Sequence, residues 1–296
     1  MNHRRTFLIL AILSLCLIIT ISAVFGAASL GWLALLPRTQ PSPMSQNLFP
    51  GIEYSREIQD SPPLVIHILR VDLRSEGIQL LVTPGDAQAE RSLKARTTSE
   101  FLKDFRLQVA VNGDGFTPWY SNNPLDYYPR TGDPVEPVGY AASKGVVYAE
   151  NPEEQPVLYL SRTNQARFGT PVGRIYNAIS GNQMLVQDGK VNPGLDGEKQ
   201  PRTAIGIDKR GRQLIIIVVD GRQPGYSVGV NLTELAEILV KHGVQTGMNL
   251  DGGGSSTLVA EEHGRPVILN SPINNGIPGQ ERPVGNHLGI FAGGEN

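Results

Sequence analysis

The sequence predicts an α+β fold, in which a mixed, strongly twisted β-sheet packs against a few helices behind an N-terminal transmembrane helix. The 33 glycines and 22 prolines among 296 residues indicate many turns between strands rather than a helical bundle. Residues 214–219 form a continuous, largely β-branched run that is typical of a strand covered on both faces. A helical pattern and a second short strand follow this run, which favours sheet and helix packed in layers.

Composition excludes two broad classes of protein. With 40% hydrophobic and 18% charged residues, the chain can bury a core, and this excludes a disordered protein. The formal net charge of -2 and the isoelectric point near 6.2 indicate no broad basic surface, which argues against nucleic acid as a partner. The sole cysteine, Cys16, lies in the N-terminal apolar segment, so the domain that follows has no possible disulfide.

The N-terminal segment, residues 1–36, is expected to anchor the chain in a membrane. Residues 6–36 are uncharged and follow Arg4 and Arg5, and about 20 apolar residues suffice to span a bilayer as a helix. A cleaved signal peptide has a shorter apolar region of roughly 7–15 residues, although residues 26–28 would form an acceptable cleavage site. The basic residues are expected to stay in the cytoplasm, which places the rest of the chain outside it, anchored to the membrane or secreted after cleavage.

The sequence of the early part of the chain predicts a linker followed by strands and one helix. Residues 37–50 are rich in proline, glutamine and serine, and they predict an extended linker ahead of a folded domain at 51–296. Thr97 and Glu100 have the spacing of a capping box, which predicts the start of a helix. Strands are predicted at residues 64–73, 78–82 and 107–111.

The last predicted elements bring polar residues to the ends of strands. The strand at 214–219 is followed by a helix that begins at a second capping box, Asn231 and Glu234, and ends at Gly243. A short strand at 248–250 comes next. Candidate site residues therefore stand directly after both strands, which is where ligand sites of layered folds commonly form.

The densest group of candidate residues follows the second of these strands. It contains one carboxylate, three glycines and two serines: Asp251, Gly252, Gly253, Gly254, Ser255 and Ser256. Without Cβ atoms the glycines allow a sharp turn whose N–H groups can together bind an anion. No lysine follows them, so the run is not a nucleotide-binding phosphate loop. A flexible hairpin is the alternative interpretation.

Other candidates also begin or follow predicted strands or stand near the C-terminus. The planar guanidinium of Arg202 suits the two free oxygens of a phosphodiester, and Arg282 is a second candidate for phosphate charge. Asp220 stands where a covered strand emerges from the sheet. An ordinary turn or an exposed surface residue is the alternative for these positions. The full set is Asn112, Asp114, Arg202, Asp220, Arg222, Asn270 and Arg282.

Five segments occur in an order that resembles the phosphodiester glycosidase family. They are Asn-Gly-x-x-Phe at 112–116, Pro-Arg-Thr-Ala-Ile-Gly at 201–206, Asp-Gly-Arg at 220–222, Leu-Asp-Gly-Gly-Gly-Ser-Ser at 250–256, and Asn-x-Pro with Glu-Arg-Pro-Val at 270–284. The resemblance covers roughly residues 107–296. It implies a hydrolase without a cofactor that breaks the bond between the anomeric carbon and a phosphodiester oxygen. The implied partner is a phosphodiester-linked glycan or another sugar-1-phosphodiester.

The resemblance also implies roles for the candidate residues. A phosphate is a good leaving group that needs little protonation, so the usual pair of catalytic carboxylates can be relaxed. Arg202 and Arg282 would hold the phosphate together with glycine N–H groups, and Asp251 and Asp220 would serve as base or nucleophile. The expected catalytic residues are Asp251, Asp220 and Arg202. The expected substrate-binding residues are Asn112, Asp114, Arg222, Gly252, Gly253, Gly254, Ser255, Ser256, Asn270 and Arg282.

Two other functions remain open from the residues. A metal-dependent phosphodiesterase would use Asp114, Asp220 and Asp251 as oxygen ligands of a hard cation and would break the P–O bond. A non-catalytic module of the cell envelope would bind the polymer without turning it over.

The remaining aromatic and histidine residues have ordinary interpretations beside functional ones. The loop at 116–133, with Trp119 and three tyrosines, predicts either a platform for sugar rings or a self-packed surface loop. His67 and His242 are expected to be structural, and His287 is a candidate only because it lies near the last motif.

Overall fold

A computed structural model describes residues 38–123, 125–150, 154–171 and 173–293. The predicted transmembrane segment, residues 1–36, lies outside the described residues. None of the helices within them has the length and apolar character needed to cross a membrane.

The described residues form 25 β-strands, two α-helices and one 3₁₀ turn, so the predicted α+β class is confirmed, with strands strongly predominant. The helices are α1 (Thr98–Phe105) and α2 (Leu232–Lys241), and the turn is Gly253–Ser255. The strands are β1 (Met44–Phe49), β2 (Ile52–Asp60), β3 (Pro63–Asp72), β4 (Gln79–Val82), β5 (Leu93–Lys94), β6 (Val109–Asn112), β7 (Phe116–Thr117), β8 (Tyr120–Asn123), β9 (Asp126–Tyr128), β10 (Pro134–Pro137), β11 (Ala141–Ser143), β12 (Val146–Ala149), β13 (Val157–Leu160), β14 (Ala166–Phe168), β15 (Asn177–Ser180), β16 (Gln183–Gln187), β17 (Lys190–Val191), β18 (Arg202–Ile207), β19 (Gln213–Val219), β20 (Thr246–Asn249), β21 (Leu258–Glu262), β22 (Arg265–Ile268), β23 (Ile273–Asn274), β24 (Ile277–Pro278) and β25 (His287–Phe291).

Two large sheets pack face to face around the main hydrophobic core. The larger has the strand order β1-β2-β3-β19-β18-β20-β16-β17, and the smaller has the order β22-β21-β6-β25-β4. Their facing side chains, such as Val111 and Ile205, belong to one buried cluster, to which a third sheet, β12-β11-β15-β13-β14, adds Leu158 and Leu160. Helix α2 covers the outer face of the larger sheet, and α1 covers the outer face of the smaller one. The chain therefore folds into layers, as expected.

Strand β19 shows why a continuous apolar run predicts a strand covered on both faces. Side chains alternate along a strand, so Leu214, Ile216 and Val218 face the core between the sheets. The intervening Ile215, Ile217 and Val219 face helix α2. All six are fully buried, and burial of each contributes about 2 kcal/mol.

The prediction of a mixed sheet is wrong, because the named strand pairs are all antiparallel. Strands β19 and β20 do run in the same direction, as their connection through α2 suggests. Strand β18 lies between them and pairs with each in the antiparallel sense. The strand–helix–strand connection therefore skips one position in the sheet.

Both predicted helix starts are confirmed as capping boxes. Thr97 accepts a hydrogen bond from the Glu100 N–H at 3.2 Å, and the Glu100 carboxylate accepts one from the Thr97 N–H at 2.8 Å. Asn231 and Glu234 make the same reciprocal pair at the start of α2. Gly243, predicted to end α2, follows the cap residue with a φ of 83°.

The folded domain begins earlier than predicted. Part of the expected linker, 37–50, forms strand β1, which pairs with β2 in an antiparallel register from Met44↔Arg56 to Phe49↔Ile52. This strand adds an edge to the larger sheet. A polar edge strand has the composition of a linker, because only one of its sides is paired.

The strand ends that carry the candidate residues meet at one edge of the larger sheet. Arg202, the first residue of β18, pairs with the last residue of β19, so Arg202 and Asp220 lie at the same end. Ala204 pairs with the last residue of β20, which brings Asp251 to that end as well. The Asn112 amide, at the end of β6 in the smaller sheet, donates to the Asp251 carbonyl at 2.8 Å. Both sheets therefore contribute to one site.

Candidate active site

A cavity of about 310 Å³ opens at this shared edge of the two sheets. Its lining contains one carboxylate, Asp251, and three guanidinium groups, those of Arg202, Arg222 and Arg282. The uncharged part of the lining consists of Gly115, Phe116, Trp119, Val138, Asn182, Gln200, Gly252 and Gly253. Such a volume is within the range of small-molecule sites.

Backbone contacts on both sides fix Asp251. Its N–H donates to the Gly113 carbonyl at 3.0 Å, and its carboxylate accepts from the Gly252 N–H at 2.9 Å. Burial raises the pKa of Asp251, while the Ser255 hydroxyl and the nearby Arg282 charge act against that rise. The result is a carboxylate held on the cavity wall, whose charged form burial disfavours and Ser255 and Arg282 partly restore.

The glycine run makes room for the arginines, and two of its N–H groups form hydrogen bonds within the protein. A Cβ on Gly254 would clash with the Arg282 guanidinium, and one on Gly253 would lie 3.1 Å from the Arg222 guanidinium. Two of the N–H groups expected to bind an anion are used internally, because Gly252 donates to Asp251 and Gly253 donates to the Pro201 carbonyl at 2.8 Å. The anion-binding role of those two N–H groups is therefore corrected.

Neutral acceptors hold the three arginines at the cavity. Arg202 donates to the Val230 carbonyl at 3.2 Å and to the Glu198 carbonyl at 2.9 Å. Burial lowers the pKa of Arg202 and of Arg282, and the charge of Arg222 adds to this effect in both. The guanidinium groups are thus close enough to repel one another, which favours an anionic ligand between them.

Arg222 and Arg282 show how the cavity walls are built. Arg222 has a φ of 58°, an uncommon value for a bulky residue, and donates to the Gln200 side chain at 2.6 Å. Arg282 donates to Asn274 at 3.1 Å and lies over the Trp119 ring, 4.9 Å from its centroid. Trp119 is 49% exposed, so part of the ring remains open beside the cavity.

The structure does not support a catalytic role for Asp220. The side chain is fully buried, and its Oδ2 accepts from His67 Nε2 at 3.1 Å. Its Oδ1 accepts from the Asn270 amide at 3.0 Å and from the Ser271 N–H at 2.8 Å. His67 Nδ1 in turn lies 2.8 Å from the Tyr54 hydroxyl. Asp220 therefore anchors the loop at 270–271 to strand β3 and does not line the cavity.

Four predicted substrate-binding residues also serve the architecture. The Asn112 amide oxygen accepts from Thr203 and from the Thr257 N–H, and its nitrogen donates to carbonyls. Asn270 connects the N–H of β21 to Asp220 and to the Ser256 carbonyl. Ser255 and Ser256 are fully buried. None of the four residues lines the cavity: Asn112 and Asn270 connect strands and loops beneath it, and the Ser255 hydroxyl accepts from Arg282 at 3.4 Å.

Asp114 lies behind the cavity wall as a second buried carboxylate. Burial raises its pKa to about 7, the hydrogen bond from Ser180 at 2.8 Å acts against the rise, and the charge of Asp251 adds to it. Its other oxygen, Oδ1, is buried without a hydrogen-bond partner among the described residues. Asp114 is thus placed to respond to the charge of Asp251, not to contact a ligand in the cavity directly.

Sequence reasoning missed two polar residues of the lining, Asn182 and Gln200. Neither belongs to a recognisable pattern, although Gln200 directly precedes the Pro-Arg-Thr segment. The predicted aromatic loop is partly self-packed, and one of its rings lines the cavity. Tyr120 and Tyr128 stack on each other at 6.0 Å in the hairpin of β8 and β9, whereas Trp119 reaches the cavity.

The histidines have structural surroundings. His287 is fully buried and stacks on Phe101 at 4.6 Å, and burial lowers its pKa to about 3. His242 caps α2 and its ring lies 3.4 Å from Glu57. With His67 bound to Asp220, none of these three rings lines the cavity.

The layered sheets form a cavity with a half-buried carboxylate among three arginines, and its excess positive charge favours an anionic ligand. The sequence profile of the phosphodiester glycosidase family matches residues 105–291, which is more than half of the chain. The chain belongs to this family of hydrolases, and the resemblance found in its motifs is confirmed.

Known proteins support the same assignment. The N-acetylglucosamine-1-phosphodiester alpha-N-acetylglucosaminidases of Bos taurus and Homo sapiens are each 50% identical to the chain over 58 residues. These residues are 20% of this chain and 10% and 11% of the two relatives, so the match spans about a tenth of their length.

Two solved structures share the fold. The catalytic domain of the zebrafish N-acetylglucosamine-1-phosphodiester alpha-N-acetylglucosaminidase, auto-inhibited by its pro-peptide, is 22% identical with a TM-score of 0.56. The alignment covers 85% of this chain and 84% of that one. A hypothetical protein from Synechocystis is 15% identical with a TM-score of 0.61, over 85% of this chain and 64% of that one.

Proposed function

We propose that this chain hydrolyses the glycosidic C–O bond of sugar-1-phosphodiesters in glycans or glycopolymers outside the cytoplasm. The observation that carries the proposal is the position of Asp251 in a cavity whose other charged groups are three arginines. The arginines supply positive charge to the phosphate, and Asp251 supplies the carboxylate that faces the sugar.

The reaction needs few groups because of its leaving group. The oxygen of water bonds to the anomeric carbon, and the bond from that carbon to the phosphate oxygen breaks, with its electron pair leaving on phosphate. Arg202 and Arg282 offset the charge that develops there. Asp251 removes the proton of the attacking water or first attacks the anomeric carbon itself, and the anomer released distinguishes these routes by NMR.

The composition of the N-terminal segment supports the proposed location outside the cytoplasm. Residues 6–36 are uncharged and follow two arginines, a pattern that favours a membrane anchor with the catalytic domain outside the cytoplasm. Glycans and glycopolymers of the cell envelope are the substrates available there.

The deciding experiment locates oxygen from water in the products. The full chain is incubated in ¹⁸O-labelled water with a panel of sugar-1-phosphodiesters, beside the Asp251→Asn variant. Label on the sugar, with activity lost in the variant, is the expected result. The matched control is Asp188→Asn, which changes an exposed carboxylate in the turn between β16 and β17 and should retain full activity.

The other outcomes correspond to the two alternative functions. Label on phosphate would indicate a metal-dependent phosphodiesterase, yet its proposed ligand Asp220 is already bonded to His67 and the 270–271 loop. Within the described residues no three His, Cys, Asp or Glu side chains are grouped to share a metal ion. Binding without turnover of any substrate would indicate a polymer-binding module.

A further inference from the structure

The cavity carries more positive charge than the proposed substrate can neutralise. Three guanidinium groups face a single carboxylate, and the remaining lining residues are uncharged. A phosphodiester has one ionisable oxygen and brings one negative charge. Bound substrate therefore leaves part of the positive charge unopposed.

Neutral acceptors hold the three arginines in place, and Asp251, whose charge acts against the burial that lowers the pKa of Arg282, is the one carboxylate beside them in the cavity lining. Arg202 is bonded to backbone carbonyls, Arg222 to the Gln200 amide, and Arg282 to Asn274 and Ser255. The ion pairs of arginine among the described residues involve Arg74, Arg91 and Arg96, and none of the three in the cavity. Keeping like charges together in a partly buried site costs free energy, and a bound anion offsets that cost.

Hydrolysis changes the charge of the phosphate in the cavity. When the anomeric carbon–oxygen bond breaks, the phosphate keeps the bridging oxygen and becomes a monoester. A proton from water balances the new oxygen, and this monoester ionises a second time with a pKa of about 6. Near neutral pH the product therefore carries almost twice the charge of the substrate.

We propose that the arginine cavity is charge-matched to the phosphate monoester product, which binds more tightly than the diester substrate and inhibits the enzyme competitively. The proposal rests on the proposed function, because it takes the product of C–O hydrolysis as the ligand. Inorganic phosphate, which also loses its second proton near neutral pH, occupies the same position. Turnover then depends on removal of the phosphate monoester by another reaction or by diffusion.

Arg222 is the residue that sets this preference. It is exposed, is held at a φ of 58° and repels both other arginines. Without it, two guanidinium groups and Asp251 remain, a set whose charge matches a singly charged diester. The Arg222→Gln variant should therefore lose product affinity more than substrate affinity.

The first test measures binding directly. Calorimetry of the full chain in detergent compares methyl phosphate with dimethyl phosphate at pH 7.5 and pH 5. Methyl phosphate should bind about tenfold more tightly than dimethyl phosphate at pH 7.5, and this advantage should shrink at pH 5. Sulfate, doubly charged at both pH values, reports any change in the protein itself, including titration of Asp251 or Asp114. Equal affinities for the two esters at pH 7.5 would overturn the proposal.

The second test uses the variant and its control. Arg222→Gln should weaken methyl phosphate binding about tenfold and raise the inhibition constant of phosphate by the same factor, with a smaller change in KM. Arg74→Gln, at an exposed arginine paired with Asp72, should behave as the unaltered protein. Calorimetry needs no turnover. If methyl phosphate binds tightly but no substrate is hydrolysed, the proposed function is refuted and the charge match to the monoester stands. A parallel rise in KM and inhibition constant would refute the charge match.

Discussion

The ends of strands β19 and β20 lie at the same edge of the larger sheet, on either side of β18. Each strand is followed by an aspartate and then a glycine, Asp220 directly after β19 and Asp251 two residues after β20. Asp220 is enclosed by four hydrogen-bond donors from β3, Tyr226 and the 270–271 loop. Asp251 receives a backbone donor and faces a cavity with three arginines.

The difference arises from what covers each strand end. His67 on β3 pairs in register with Val218, two residues before Asp220, so an imidazole stands beside that carboxylate. Strand β20 has β18 and β16 as neighbours, and Asp251, two residues beyond its end, lines the cavity. The same local sequence pattern therefore yields a structural carboxylate at one strand end and a candidate catalytic carboxylate at the other.

The largest expected effect separates the two carboxylates by activity. Asp251→Asn should lower kcat about 10³-fold, because the reaction loses its base or nucleophile. Its free energy of unfolding should stay the same or rise, since burial already disfavours the charged form of Asp251. Steady-state kinetics and urea unfolding measure both quantities. Asp220→Asn should leave kcat per folded molecule nearly unaltered. An equal loss of kcat in both variants would contradict the assignment of Asp251 as catalytic and Asp220 as structural.

The second effect concerns stability. Asp220→Ala should lower the free energy of unfolding by about 3 kcal/mol, because it removes the buried acceptor of the hydrogen bonds from the Asn270 amide and the Ser271 N–H. Urea unfolding measures the change. A double-mutant cycle with His67→Ala should give a favourable coupling energy, and additive single effects would show that the 3.1 Å contact contributes nothing.

A third effect tests the carboxylate behind Asp251. The pKa of Asp114 is raised from 3.8 to about 7, so between these values the folded state binds more protons than the unfolded state. The contribution of Asp114 to stability is therefore fully present below about pH 4 and lost as pH rises through 7. Urea unfolding across this range should show a falling free energy, and Asp114→Asn should flatten the slope. Parallel curves for both proteins would refute the assignment.

The smallest effect concerns the cavity rim. Trp119→Ala removes the ring over Arg282 and should raise KM about fivefold, the size expected of a cation–π contact. Tyr120→Ala is the matched control, because that ring stacks on Tyr128 in the same hairpin. Equal KM values for the two variants would show that the Trp119–Arg282 contact does not hold the substrate phosphate in place.

Features that depend on neighbours along the chain were predictable from the sequence. Both capping boxes, the strand at 214–219 with its two covered faces, and the end of α2 at Gly243 follow from local spacing and alternation. The glycine run after Asp251 and the motif order were enough to identify the family. Strand β1 was not predicted, because a polar edge strand has the same composition as a linker.

Tertiary structure alone decided which polar residues face the cavity. His67 and Asp220 are 153 residues apart in the chain, and Asn112 and Asp251 are 139 apart, so no local pattern records either contact. The glycines leave space for arginines that are distant in sequence. A Cβ on Gly254 would meet Arg282, and a Cβ on Gly253 would meet Arg222. The physical reason is that burial and hydrogen-bond satisfaction are set by packing across sheets, whereas sequence patterns report the backbone of one segment at a time.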